Sequence, residues 1–345
     1  MTTIFGVNSI FRIQLLRKLL ILFICLLSVS PVSSQRDTMN SKDYILVINT
    51  YTEAFSWSNR LIFTATEFVK DDPRLAIYAE HMNLLMMDND STLHEFRTNL
   101  FEKYGSHPPL ILLLLGNSTL MLRDDFRKVW GDIPVILCSE KDYIGPTEYY
   151  LKKQPIPLSE RVPLTELAQP YNLVLLYSNQ YIRENLELMF HILPNMKKLI
   201  YVGDQRFVNQ TNNAEIQEVL HSSHPGVQYT FLSPENILET NQLIDSLNFV
   251  DPQTTGILFS SWFYKRKFAG NTSLSIISPN IVSTISPPLF ALSSIDVKDK
   301  NSGMTGGYSY NQVEFDKHLL GIFSDVLSGK QPRNLPYYYP LDGMP

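Results

Sequence analysis

The sequence predicts an α/β protein of two Rossmann-like lobes, each a parallel sheet flanked by helices, with a cleft between them. Three observations carry this. Short continuous apolar runs recur, at 45–48, 110–115 and 133–138, and such runs read as strands covered on both faces. Segments with apolar residues at helical spacing alternate with them over short connections. The runs end in polar and aromatic residues, and an open α/β sheet binds ligands beyond the carboxyl ends of its strands.

The opening strand, at 44–48, leads into a loop bearing Asn49, Thr50, Tyr51, Thr52, Glu53 and Trp57. A helix follows over 57–69, where Leu61, Ile62, Ala65, Phe68 and Val69 share a face and Asp71, Asp72 and Pro73 stop it. A strand at 74–80 and a helix at 91–104 come next, then the strongest strand signal, LILLLLG at 110–116, tipped by Asn117 and Ser118. A helix to residue 130 precedes a strand at 133–140. Five prolines within 141–170 read as a crossover between lobes.

Residues 171–177 fit a strand or a helix start equally. Beyond them the pattern predicts a helix at 182–193, a strand at 197–204 tipped by Gly203 and Asp204, a helix at 213–221 and a strand at 227–232. A helix at 235–248 and a strand at 254–260 follow, the latter tipped by Ser260, Ser261 and Trp262. A strand at 287–296 ends in Asp296, and a helix spans 313–327. The domain expectation is a signal peptide over 1–34, lobe 1 over 41–165 plus about 303–330, and lobe 2 over 166–302. Residues 331–345 read as an extended tail leading to a membrane segment outside this sequence.

At 345 residues, 44% of them hydrophobic, the chain can bury substantial cores, and a net charge of -5 argues against a general nucleic-acid binder. Arg12, Arg17 and Lys18 precede an apolar run at 19–27, the layout of an export signal, with an uncleaved signal anchor as the competing reading. Loss of those three positive charges takes the net charge to -8. Cys25 would leave with the signal, so Cys138 stands alone and reads as a small buried hydrophobe. The seven histidines show no metal-ligand pair, and no Gly-rich phosphate loop follows a strand. No cofactor or metal is expected.

Three segments carry a resemblance: ILVINTYTEAFSW at 45–57, LPNMKKLIYVGD at 193–204 and MTGGYSYNQVEFDKHLLGIFSDVLSGKQPRNLP at 304–336. Together with the order of elements, they resemble the type I periplasmic binding protein superfamily, in its ABC-transporter substrate-binding-like branch. That branch also supplies extracytoplasmic sensor domains of bacterial sensor histidine kinases. The resemblance implies a periplasmic-binding-protein-like type I fold, a ligand between the lobes and closure about a hinge. It covers most of residues 43–336, and the segment 261–285 departs from the usual helix.

The candidate ligand-binding residues are Tyr51, Thr52, Glu53, Asn117, Ser139, Glu140, Asp204, Ser260, Ser261, Trp262 and Asp296, aromatic faces and polar groups at strand tips. Helix capping explains Asn117 equally well. Glu53, Glu140 and Asp204 together favour a cationic or polyhydroxyl ligand, and a sugar-like one is preferred. Paired carboxylates could serve a hydrolase, but ligand orientation accounts for them equally, so no enzyme is expected in this segment. The expected function is a periplasmic sensor domain of a membrane-bound two-component histidine kinase, on the outer side of the inner membrane. The alternative is a soluble substrate-binding protein of an ABC transporter. Homodimerisation is compatible with either, and membrane contact comes only through a segment outside the sequence.

Overall fold

The computed structural model describes residues 43–235, 240–268, 271–276, 284–292, 303–337 and 343–344. Asp43–Pro345 forms one compact unit, and the signal expected over 1–34 lies outside the described residues. The first sheet is built from β1 (Asp43–Asn49), β2 (Leu75–His81), β3 (Ile111–Leu115), β4 (Val135–Ser139) and β5 (Leu173–Tyr177). Its order is β2-β1-β3-β4-β5, with every pairing parallel. The apolar runs of β1 and β3 are buried residue by residue, as expected for strands covered on both faces.

Helix α1 (Ser56–Val69) lays Leu61 and Ala65 on one face of this sheet. Helices α2 (Asp90–Tyr104) and α3 (Arg123–Trp130) contribute buried Leu100, Tyr104, Phe126 and Trp130. The short α4 (Thr147–Lys152) stands over the carboxyl end. The expectation that lobe 2 starts at residue 166 is corrected here. The strand Leu173–Tyr177 pairs with β4, so the first sheet takes the whole proline-rich segment, which returns to its own lobe through a two-residue bridge between 143–144 and 162–163. Prolines interrupted the helix and strand pattern there without sending the chain across.

The crossing falls at residues 178–181, before α5 (Ile182–Ile192). The second sheet contains β6 (Lys198–Val202), β7 (Gln228–Leu232), β8 (Thr255–Phe259) and β11 (Leu289–Ala291), in the order β7-β6-β8-β11, again all parallel. On one face lie α5 and α6 (Phe207–Ser223), through Leu186, Met189, Ile216 and Leu220; on the other lies α7 (Thr240–Asn248), through Leu243 and Leu247. Helix α6 starts six residues before the expected 213. The segment after β8 is an antiparallel hairpin of β9 (Phe263–Phe268) and β10 (Asn271–Ile276), which accounts for the departure noted at 261–285.

Counted in its own order, the first sheet reads 2-1-3-4-5 and the second 2-1-3-4, so each has a topological switch point beside its first strand. The last helix, α8 (Gln312–Leu327), returns to the first core, where Phe315, Leu319 and Phe323 pack with Ile45, Val47 and Leu113.

Candidate functional site

The carboxyl ends of β1 and β3 form one wall of a cleft. The Thr50 amide donates to the Leu115 carbonyl at 3.0 Å, and the Thr50 and Ser118 hydroxyls lie 2.8 Å apart, which ties the two strand tips together. Gly116 makes this possible. Its φ is +90°, and a Cβ there would lie 2.6 Å from the Thr50 Oγ1. Asn49 organises the turn that follows, accepting from the Tyr51 amide at 3.0 Å and donating to Ser58 Oγ at 3.0 Å. Asn117 is spent on structure, its amide donating to the Tyr143 carbonyl at 2.9 Å.

The Tyr51 hydroxyl donates to Glu140 Oε1 at 2.7 Å, and both groups are buried. Burial raises the carboxyl pKa of Glu140, and the hydrogen bond from Tyr51 opposes this only in part. Burial, followed by the charge of Glu140, likewise pushes the Tyr51 phenol well up.

The second wall comes from the turn after β6 and the start of α6. Asp204 is fully buried; its Oδ1 accepts from the Arg206 amide at 3.0 Å and from Arg206 Nε at 2.9 Å. Its Oδ2 accepts from the Ser261 hydroxyl at 2.8 Å and the Phe263 amide at 3.2 Å. Arg206 Nη2 also donates to the Ser261 Oγ. The guanidinium of Arg206, only 6% exposed, lies 4.3 Å from the ring centre of Phe55, 4.4 Å from that of Phe263 and 5.3 Å from that of Tyr51. Burial works against its charge, but Asp204 outweighs burial and the pKa is raised.

Between the walls lies a cavity of about 470 Å³, counting its open mouth. Thr50, Tyr51, Thr52, Phe55, Asn117 and Ser118 line it from one strand-tip region, and Asn83, Leu84, Leu85 and Lys153 from the neighbouring loops. Arg206, Phe207, Val208 and Phe263 close it from the second lobe. Above the cavity the lobes touch again: Lys141 Nζ donates to both oxygens of Glu215, at 2.9 and 2.8 Å, and the rings of Tyr150 and Phe207 are 4.6 Å apart.

Of the residues expected at the site, Tyr51, Thr52 and Asn117 line this cavity. Glu53 does not; it is exposed. Ser139 is turned to the backbone of Lys141. Glu140, Asp204 and Ser261 stand behind the wall, engaged with Tyr51 and Arg206. Ser260 donates to Asn209 at 2.7 Å, and Trp262 packs in the second core with Val202 and Ile257. Asp296 lies outside the described residues. Trp57 packs in the first core, and its Nε1 donates to the Tyr310 hydroxyl at 3.0 Å.

Sequence reasoning missed Phe55, Arg206, Phe207, Val208 and Phe263. The available signal was positional: all five sit within a few residues of a strand tip that had been recognised. Among the described residues no cluster of His, Cys, Asp and Glu could hold a metal ion.

No known protein family matches the chain, and no curated protein does. Solved structures do. A conserved domain protein from Vibrio cholerae is 11% identical with a TM-score of 0.55, over 88% of this chain and 90% of that one. An ABC sugar transporter subunit from Rhodobacter sphaeroides is 12% identical with a TM-score of 0.52, over 87% and 96%. The fold is periplasmic-binding-protein-like. A carbohydrate transporter solute-binding protein from Agrobacterium radiobacter, in complex with D-arabinose, is 10% identical with a TM-score of 0.50, over 88% and 94%. At these identities the likeness is one of fold.

Proposed function

We propose that this chain is a non-catalytic, extracytoplasmic binding protein that holds a small molecule between its two lobes and transmits lobe closure. The observation that carries the reading is the cavity itself, walled by strand-tip residues of both sheets at their switch points. A ligand touching both walls favours the closed arrangement by the contacts it makes only there. The fold of the solved neighbours supports this reading, and two of them are described as transporter components.

As the sensor domain of a membrane-bound histidine kinase, the chain would pass closure to a kinase beyond residue 345. The second reading, delivery of the ligand to an ABC transporter, is favoured by what those two neighbours are described as. The natural coding sequence after Pro345 separates them: a membrane helix followed by a kinase core supports the sensor, and a stop codon there sinks it.

Binding itself is tested by a thermal-shift screen of a metabolite library. A specific ligand stabilises the folded state through linkage, by about 2.7 kcal/mol at a concentration a hundredfold above its Kd, and so raises the melting temperature. A library in which no compound shifts the transition, together with turnover of a glycoside that Glu140→Gln abolishes, would contradict the reading.

A further inference from the structure

Resting on the cleft reading above, we propose that the cavity selects a carboxylate on an apolar body, its anionic group held where Arg206 meets the first turn of α6. Three independent observations converge there. First, Arg206 is buried and two of its three guanidinium nitrogens are engaged, Nε with Asp204 and Nη2 with Ser261, while Nη1 is buried without an acceptor among the described residues. A buried charged donor left unpaired is costly, and an anion is the partner that a guanidinium takes best.

Second, α6 is a 17-residue helix that begins at this point with no side-chain cap and no acidic residue in its first turn. Its first residues, Phe207 and Val208, line the cavity. A helix start of this kind presents partial positive charge to the space in front of it. Third, among the described residues the charged ones on the cavity wall are Lys153 and Arg206, and no described Asp or Glu lines it. The ammonium of Lys153 is held by the Met87 and Leu151 carbonyls and Asp88, so it adds field rather than a free donor.

The remaining wall is mixed: Phe55, Leu84, Leu85, Val208 and Phe263 offer an apolar surface, and Thr50, Thr52, Asn83, Asn117 and Ser118 add polar groups at its edge. The polyhydroxyl preference drawn from Glu53, Glu140 and Asp204 loses its support here, because none of the three faces the cavity. The carboxylate acceptors are spent inside the protein, and the Asn83 Oδ1, buried without a donor among the described residues, is left to accept from the ligand's body.

Calorimetric titration of the protein with phenylacetate, indole-3-acetate and octanoate, each beside its neutral amide, and with D-arabinose tests the proposal. At least one acid binds, and its amide binds about ten- to a hundredfold more weakly, the span of one charge-assisted hydrogen bond. Arg206→Lys keeps a cation beside Asp204 without the forked second nitrogen; it weakens the acid about tenfold more than it weakens the amide. Amides or D-arabinose binding as well as the acids would overturn the anion proposal and leave the cleft reading intact. Failure of every acid to bind would also overturn it, while the library screen still judges the cleft reading separately.

Discussion

At the scale of single residues, the walls are held by buried polar groups that satisfy one another. Glu140 is the clearest case. Its pKa is raised, with burial as the main cause, so the folded state holds the proton more tightly than the unfolded chain. The stabilisation this confers is complete below the ordinary carboxylate range and is lost as pH rises through the raised value. Glu140→Gln keeps an acceptor for the Tyr51 hydroxyl but cannot ionise. Its melting temperature should match the wild type below the ordinary carboxylate range and exceed it once the pH has risen above that range. Parallel profiles of melting temperature against pH would contradict this. Asp204 makes the opposite point. Asp204→Ala strands the buried guanidinium of Arg206, and breaking one side of such a pair costs about 3–5 kcal/mol, measurable by denaturant unfolding.

At the scale of elements, the two crossings between sheets are tied to each other. Asn185, near the start of α5, donates to the Tyr308 carbonyl at 2.8 Å and accepts from the Tyr308 amide at 2.7 Å. The first crossing is thereby stapled to the second, and the rings of Tyr181 and Tyr308 meet edge-on at 5.3 Å. Gly307 lets the second crossing pass β11, since a Cβ there would lie 2.2 Å from the Ala291 carbonyl oxygen. Gly307→Ala should therefore displace the crossing and lower stability by more than about 1 kcal/mol, beyond what a surface substitution does. Chemical unfolding of that variant checks it. Phe323→Ala, on the returning α8, should cost about 3–5 kcal/mol because it empties the core of the first lobe.

The elements themselves were largely legible in the sequence, because a strand covered on both faces leaves an uninterrupted apolar run and an amphipathic helix leaves a periodic one. The failures have physical causes. Helix α6 begins with Phe207, Val208 and Asn209, all buried, so its first turn shows neither a cap nor a polar face to read. The lobe boundary was misplaced because proline density marks any break in hydrogen bonding, and Pro146 to Pro163 breaks it within one lobe. Which strand-tip side chains face the cavity was not legible at all. That depends on pairings such as Tyr51 with Glu140 and Arg206 with Asp204, one spanning 89 positions and the other set by a turn.

At the scale of the whole molecule, Lys141 of the first lobe lies against Glu215 of the second. Lys141 is buried, so removing its partner leaves a charge in a poor environment. A hinged molecule can rehydrate that charge by opening rather than by unfolding. Glu215→Gln should thus enlarge the radius of gyration in small-angle scattering while leaving the melting temperature nearly unchanged. Unfolding without expansion would show that the two lobes behave as one rigid block.

No helix among the described residues is long and apolar enough to cross a membrane. The central claim is that one ligand bridges two walls. Hydrogen–deuterium exchange with and without the ligand that raises the melting temperature tests it most directly. The account predicts simultaneous protection at residues 50–55 and 83–85 of the first lobe and at 206–208 of the second; protection confined to one sheet, or placed on α8 alone, would contradict it.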